Sequence, residues 1–461
     1  MRLAEQFWHN LLTDCKLESG KALVAVSGGS DSVALLHLLL RSPAGFQVEP
    51  VIAHVNHQIR DESNADEAFC RKLAESLNFP FVAQKVDVPA LAIQPKMSIE
   101  TAARALRYQA LHEMARRHGC AAILLGHTAD DQAETVLHNI SRGTGVRGLA
   151  GMLFRHGMLA RPLLNVSKRA ILRFLNEQNI AFRVDHTNAD VSFRRNRIRH
   201  DVLPFLQQNL NPDITGALQR LAANTAEVEA FLQAMANAAQ KNATIAQNPN
   251  KIILDIDRFS GYFPVLRKYI IRNSLEALSE QEVRPNYEAL LRAGQLIEKR
   301  QIGKRTTLSG QWELLIDHDG IVIWNGKPRS FAIACHQDEI VYLSEQKTFR
   351  YSLLSALPSQ KSLTSHGNDI QYVDANAIQG NIRIRSVREG DRFQPLGLKG
   401  SKLVNDFFSD RKVPLHKRSS IPVVACATGI IWVVGFQLDE RFKVTNRTKS
   451  FLKMEFKEAA Q

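Results

Sequence analysis

KALVAVSGGSDSVALLHLLL, residues 21–40, passes from an apolar, partly β-branched run (Ala22 to Val26) into a row of helix formers (Val33 to Leu40). The first run is short enough for a buried strand, and the second reads as a helix. Ser27, Gly28, Gly29, Ser30, Asp31 and Ser32 lie between them. A strand that turns through two glycines into a helix aims backbone N–H groups, and the positive end of the helix dipole, at one point beyond the sheet edge. That is an anion site. The glycines permit the sharp turn and a close backbone approach, and the three serines add hydroxyl donors. Asp31 sharpens the reading. A carboxylate inside a phosphate cradle repels its ligand unless a divalent cation bridges the two, so the loop suits a nucleotide carried with Mg²⁺, with Asp31 as metal ligand. No lysine follows the glycines in the P-loop pattern, which sets the loop apart from kinases and GTPases.

Outward from the loop, strand-like runs alternate with helical text. Val48 to Asn56 carries His54 near its end, Phe81 to Val86 is a third run, and Ala121 to Leu125 a fourth, followed by Gly126-His127-Thr128-Ala129-Asp130-Asp131. This alternation predicts an α/β domain built on a doubly wound parallel sheet, with ligands at the carboxyl ends of the strands. Ser27 to Ser32, Ala53 with His54, and Gly126 to Glu134 all fall at such ends. Thr128 and Asp131 match a helix capping box, while Asp130 and Glu134 share a helix face. Glu100, Arg104, Arg107 and Tyr108 share a face of a helix expected over 98–118. Ser141 to Leu149 is a basic, glycine-rich loop with Arg142 and Arg147. A polar loop, Asp185 to Asp190, leads into Arg194, Arg195, Arg197 and Arg199. Helical spacing puts Arg195 and Arg199 on one face and Arg194 and Arg197 on another. The first pair is expected to face RNA or nucleotide phosphates, and the second to meet carboxylates.

A chain of 461 residues exceeds one core. The expected division is a catalytic domain over 1–210, a mainly helical connector with a small substrate- or RNA-binding domain over 211–330, and a basic α+β domain over 345–461. The 44% hydrophobic and 23% charged residues are those of a globular protein, but a net charge of +13 points to a polyanionic partner. No apolar run approaches the roughly 20 residues of a membrane span, and Glu5, His9, Asn10 and Asp14 interrupt the N-terminus, unlike a signal peptide. Cys15, Cys70, Cys120, Cys335 and Cys426 form no CxxC or Cys/His spacing, which argues against zinc, iron–sulfur and disulfide frameworks and suits a reducing cytoplasm.

SGGSDS resembles the pyrophosphate loop of the N-type ATP pyrophosphatases, the PP-loop superfamily. The wider text narrows the resemblance. HVNHQIRDESNADEAF, ETAARALRYQAL, GHTADDQAETVLHNISRGTGVRGLAGM, ARPLL and DHTNADVSFRRNRIRHDVLP, in this order, are similar to the bacterial tRNA(Ile)-lysidine synthetases. IRSVREGDRFQPLG, KLVNDFFSDRKVP and IIWVVGFQLDERFKVT are similar to that family's last domain. The resemblance implies a cytoplasmic ligase whose substrates are ATP with Mg²⁺, free L-lysine and a tRNA(Ile) with a CAU anticodon. ATP adenylates the C2 carbonyl oxygen of the wobble cytidine, and the lysine ε-amine then displaces AMP to give lysidine. The rival enzymatic class, a tRNA thiolase, would need cysteine pairs. An RNA-binding adaptor without turnover would carry a damaged loop. The oligomeric state stays open, a homodimer among the options.

Within that scheme the ATP site is assigned to Ser27, Gly28, Gly29, Ser30, Asp31, Ser32, Ala53, His54, Gly126 and His127. Attack by lysine needs a neutral amine. With a reference pKa near 10.4, about one amine in 2,500 is neutral at pH 7, a cost of about 4.6 kcal/mol. A carboxylate or a desolvated pocket has to supply it, and Asp130, Asp131 and Glu134 are the catalytic candidates beside Asp31. Asp131 reads equally as cap and as catalyst. The tRNA contacts are assigned to Arg104, Arg107, Arg142, Arg147, Arg194, Arg195, Arg197 and Arg199.

Overall fold

Period-two alternation in residues 22–26 sends side chains to both faces of the central strand, and both faces are buried. Ala22, Val24 and Val26 join one core, while Leu23 and Ala25 join another. Burial on both faces is what a parallel sheet demands. In this computed structural model, residues 3–43, 46–58, 63–87, 99–183, 194–279, 283, 285–326, 330–344, 347–356 and 369–458 are described. The Asp185 to Asp190 loop and the side chain of Glu100 lie outside the described residues. Contacts divide the chain into two compact units, Met1–Phe231 and Leu232–Gln461.

In the first unit the strands are β1 (Gly20–Ala25), β2 (Val48–Asn56), β3 (Phe81–Lys85), β4 (Ala122–Leu124), β5 (Arg155–His156) and β6 (Leu159–Ala160). They form one sheet in the order β3-β2-β1-β4-β6-β5, parallel except for β5 against β6. The helices are α1 (Leu3–His9), α2 (Ser30–Leu39), α3 (Ser63–Ser76), α4 (Ile99–Arg117), α5 (Ala129–Ser141), α6 (Val146–Leu149), α7 (Lys168–Glu177), α8 (Arg194–Arg197), α9 (Leu203–Asn209) and α10 (Ile214–Ala243). Residues of α1, α2, α3 and α7 cover one face of the sheet, and Ala102, Ala110, Leu111 and Met114 of α4 cover the other. This is the doubly wound sheet expected. The chain winds outward from β1 to β3 and returns to β4 on the opposite side of β1. The order therefore reverses between β1 and β4, and a ligand crevice opens there, beyond the carboxyl ends of the strands. Leu218 and Ala222 of α10 pack on Ala133 and Val136, under the helix that follows β4.

The second unit begins within α10. The segment expected to be mainly helical carries, beside α11 (Ile256–Ser260), α12 (Pro264–Leu278) and α13 (Tyr287–Glu298), a five-stranded antiparallel sheet. Its strands are β7 (Thr244–Asn248), β8 (Lys251–Leu254), β9 (Arg305–Ser309), β10 (Trp312–Asp317) and β11 (Gly320–Asn325), in the order β7-β8-β11-β10-β9. One face packs on Ile270, Ile271, Leu275, Leu290 and Ala293 of α12 and α13. The other presents Ile253, Leu315 and Val322 to Leu415. Residues 332–458 build three more antiparallel sheets, of five and four strands around Phe349, Ile384, Trp432 and Met454, and of two strands at Arg392–Phe393 and Lys402–Leu403. All five cysteines are free, four of them buried. Among the described residues, no helix is long and apolar enough to cross a membrane.

Candidate active site

The glycine loop leaves β1 at the switch point and is pinned by its own serines. Ser32 Oγ accepts from the Ser27 N–H (3.1 Å) and donates to the Gly29 carbonyl (2.9 Å). Gly28 takes a φ of +86°, a left-handed conformation that favours glycine. The loop's other flank is held by Arg183, whose backbone N–H donates to the Gly28 carbonyl (2.9 Å) and whose side chain pairs with Asp66 (2.6 Å). The loop after β4 lies directly against the first turn of α2. A Cβ on Gly126 would come within 3.0 Å of the Asp31 carbonyl carbon and 3.1 Å of the Ser32 nitrogen, so a side chain here would push the two backbones apart. The N-termini of α2 and α5 thus border one crevice, each with the positive end of its dipole there.

The side chains at this crevice form a chain of opposite charges. Lys168 Nζ donates to both Asp31 carboxylate oxygens (2.6 and 2.7 Å) and to Ser30 Oγ (2.7 Å). The Lys168 backbone N–H donates to Asp130 Oδ2 (2.8 Å). Burial pushes the Asp31 carboxyl above its ordinary range, with the Lys168 ammonium opposing. Asp131 completes the capping box with Thr128, its Oδ2 accepting from the Thr128 N–H (2.9 Å). Its other oxygen accepts from Nη2 of Arg195 (3.0 Å) and of Arg199 (3.1 Å). Burial works against that charge, but Arg195 above all, then His127, the Thr128 N–H and Arg199, hold Asp131 below the usual carboxylate range. Glu134, 1% exposed, accepts from Arg195 Nε at one oxygen (2.8 Å) and from Arg199 Nε at the other.

Two histidines at the strand ends stay neutral. Burial drives His127 down to about 3 against the pull of Asp131, and its Nδ1 has no partner among the described residues. His54, whose Nδ1 sits 2.9 Å from the Val26 carbonyl, is also lowered by burial. Ala53 is buried beside it, its carbonyl accepting from the Val26 N–H (2.8 Å).

The crevice therefore gathers the Ser27 to Ser32 loop, Asp130, Asp131, Glu134, Arg195 and Arg199. Arg107 is close enough to Arg195 and Asp131 to feel their charges, and burial lowers its pKa. Arg104 is exposed and lies over the Tyr108 ring at 5.0 Å. Arg142 follows the far end of the thirteen-residue α5, about 20 Å from Asp130 at helical rise, and Arg147 lies beyond it in α6. Arg194 and Arg197 are exposed.

Two expectations change. The Arg195 and Arg199 face, expected to meet phosphates, meets Asp131 and Glu134, because α8 and the turn after it seat against α5. Glu134, expected at the lysine site, is sealed by both arginines and has no free oxygen. Lys168 escaped the sequence reading, although a local signal marks it. It opens α7 directly after the capping Ser167, where a cation opposes the helix dipole and so calls for a tertiary partner. Among the described residues no group of three His, Cys, Asp or Glu could hold a metal ion. A lone carboxylate suits Mg²⁺ that arrives with phosphate and water ligands of its own, so Asp31 fits a cation delivered with the nucleotide.

Comparison with known proteins bears on the family of the chain. Residues 2–206 match the model of a PP-loop domain, and residues 382–454 that of the TilS substrate C-terminal domain. A tRNA(Ile)-lysidine synthase of Caldanaerobacter subterraneus subsp. tengcongensis is 32% identical over 440 residues, covering 95% of this chain and 93% of the relative. One from Parabacteroides distasonis is 34% identical over 447 residues, covering 95% and 96%. Among solved structures, a TilS C-terminal domain is matched over its whole length and 29% of this chain, at 21% identity and a TM-score of 0.26.

Proposed function

The chain belongs to the tRNA(Ile)-lysidine synthase family, and we propose on that premise that it joins free lysine to C2 of the wobble cytidine of a CAU-anticodon tRNA(Ile), through an adenylated RNA intermediate. The observation that carries the reading is the convergence at one crevice of the glycine loop, Asp31 and Lys168, bordered by two helix N-termini. In the first step the cytidine C2 oxygen attacks the α-phosphorus and pyrophosphate leaves. Negative charge builds on the leaving group, and donors of the loop with the dipoles of α2 and α5 are aimed where it develops. Asp31 would hold Mg²⁺, which supplies Lewis-acid neutralisation of the phosphates. His127 and His54, both neutral, suit hydrogen bonding to the nucleotide and are poor bases.

In the second step the lysine ε-amine attacks C2 and AMP leaves. The amine's proton needs an acceptor. Asp131 and Glu134 are committed to Arg195 and Arg199, whereas Asp130 engages one oxygen with the Lys168 N–H, among the described residues. Asp130 Oδ1 is therefore the assigned contact for the incoming ammonium and the acceptor of its proton as the C–N bond forms. Arg104, Arg107, Arg194 and Arg197 are assigned to the RNA backbone near the crevice. Arg142 and Arg147 would meet it farther away. The three-part division at about residues 210 and 330–345 is retained as the functional layout, with the basic C-terminal segment contacting tRNA.

The test is incubation of the protein with ATP, Mg²⁺, labelled lysine and a tRNA(Ile) transcript carrying CAU, followed by nucleoside digestion. Label should appear in a modified cytidine with wild-type protein and be lost with Asp31→Asn, which keeps size and hydrogen bonding. No label with wild type, or undiminished label with the variant, would overturn the reading.

A further inference from the structure

The loop lacks the lysine that ordinary nucleotide loops place after their glycines, yet a lysine ammonium reaches this loop from another segment. It comes from 137 residues along the chain. Three features of Lys168 bear on a ligand at this loop. It is a cation in the first turn of a ten-residue helix, where the dipole disfavours positive charge. Its ammonium is drawn over the Ser30 hydroxyl and both Asp31 oxygens at 2.6–2.7 Å, so all three of its donors converge on the mouth of the crevice. Its backbone N–H is fixed by Asp130, which anchors the stem of the side chain to the start of α5 while the tip reaches the start of α2. The side chain is 41% exposed, so an incoming anion can approach it from solvent.

We propose that Lys168 is the phosphate-binding lysine of this site, a catalytic residue that touches the substrate. Its ammonium rests on Asp31 when no nucleotide is present. On arrival of the cation–nucleotide complex it transfers from the carboxylate to a non-bridging oxygen of the phosphate chain. The exchange conserves charge pairing throughout. Asp31 gives up an ammonium as it gains the divalent cation, and the ammonium gains phosphate in place of carboxylate. The pyrophosphate then leaves against a fixed cation held by two helix starts. Asp130 acts on the nucleotide only through Lys168, as a positioning residue. This inference rests on the assignment of the crevice to ATP.

The test compares full-length wild type, Lys168→Met and Lys168→Arg by calorimetric binding of MgATP, inorganic pyrophosphate with Mg²⁺, and AMP, with a thermal melt for each. Lys168→Met should weaken MgATP and pyrophosphate about tenfold or more, the scale of one lost charge-assisted hydrogen bond. It should leave AMP affinity and the melting temperature close to wild type, and Lys168→Arg should recover most of the loss. Unchanged or tighter MgATP binding by Lys168→Met would make Lys168 a mere occupant of the cation's place and overturn the proposal. So would an equal loss for AMP and pyrophosphate with a lowered melting temperature, which marks a structural strut. Wild-type protein that binds neither MgATP nor pyrophosphate would instead overturn the ATP assignment itself.

Discussion

Removing Arg195 and Arg199 together should cost stability first and activity as a consequence. In the wild type the two guanidiniums supply two hydrogen bonds to Glu134 and two to Asp131. Glu134 is 1% exposed in the wild type, so Arg195→Ala/Arg199→Ala would leave its charge at a buried position without either guanidinium donor. Breaking a buried pair on one side costs about 3–5 kcal/mol. The arginines themselves are 31% and 35% exposed, and solvent screens part of the pair, so the lower end, about 3 kcal/mol, is the better figure. For a unit of the size of Met1–Phe231, each kcal/mol moves the melting temperature about 2–4 °C, giving a fall of about 6–12 °C. Adding Glu134→Gln removes the stranded charge and should restore about half of the loss. The assay is calorimetric melting of the three proteins at matched pH and salt. A double variant that melts within about 2 °C of wild type would refute the reasoning, because a buried unpaired carboxylate cannot be that inexpensive.

Arg194→Ala/Arg197→Ala, at exposed positions, should change stability by less than about 1 kcal/mol per residue. If these arginines reach RNA phosphates, the salt dependence of tRNA binding should become shallower by about 0.7–0.9 for each phosphate no longer neutralised, and an unaltered slope would exclude them. His127 has a distinct pH signature. Its folded pKa, about 3, lies below the unfolded value of about 6.5, so its stabilising effect is full above about pH 6.5 and is lost as pH falls toward 3. The slope is about 1.4 kcal/mol per pH unit, and His127→Gln should flatten it in denaturant titrations across that window. An identical slope would mean that the folded protein protonates this ring. In the second unit, His416 donates from its backbone N–H (3.1 Å) to buried Asp317, and its Nδ1 lies 3.0 Å from the same carboxylate oxygen. Burial opposes the charge, but these bonds and that from the His318 N–H keep Asp317 below the ordinary carboxylate range. His416→Ala should therefore cost about 3 kcal/mol, recovered in part by Asp317→Asn, as read from the melting of the full chain. Equal melting temperatures would show that the pair is neutral in balance.

The sheet of the first unit was legible because its information is local. Alternating apolar residues in 22–26, two glycines and a row of helix formers specify strand, turn and helix without reference to anything distant, and repeated units of that kind leave few topologies. The strands in residues 332–354 carried no such signal. Lys347–Leu354 reads KTFRYSLL, and only Phe349 in it is fully buried. Its stability as a strand comes from pairing with Phe451–Glu458, a hundred residues later, through a ladder that no local pattern announces. The sheet of residues 244–325 mixes near and distant pairings. Its β10–β11 hairpin is a sequence neighbour pair, whereas β8 reaches β11 across three helices and two other strands.

The site divides along a similar line. Its carboxylates sit in the readable motifs, at Asp31, Asp130, Asp131 and Glu134, because strand ends and helix caps impose their spacing. Its cations arrive from segments whose spacing imposes nothing, with Lys168 137 residues beyond Asp31 and Arg195 64 residues beyond Asp131. Spacing could sort Arg195 with Arg199 and Arg194 with Arg197, but which face turns inward depends on where α5 lies, and that is tertiary. The separation has a physical consequence. Four carboxylates at the mouth of a phosphate site would repel a nucleotide, and three of them are neutralised or engaged by Lys168, Arg195 and Arg199. The arginine pairs hold carboxylates that are 14% and 1% exposed, whereas in the Lys168 pair the lysine is 41% and Asp31 28% exposed. A polyanion that enters with its own cation can therefore exchange partners at Asp31 without disturbing the pairs beneath α5. A substitution that loosens Arg195 or Arg199 would instead return uncompensated negative charge to the crevice and weaken nucleotide binding from a distance.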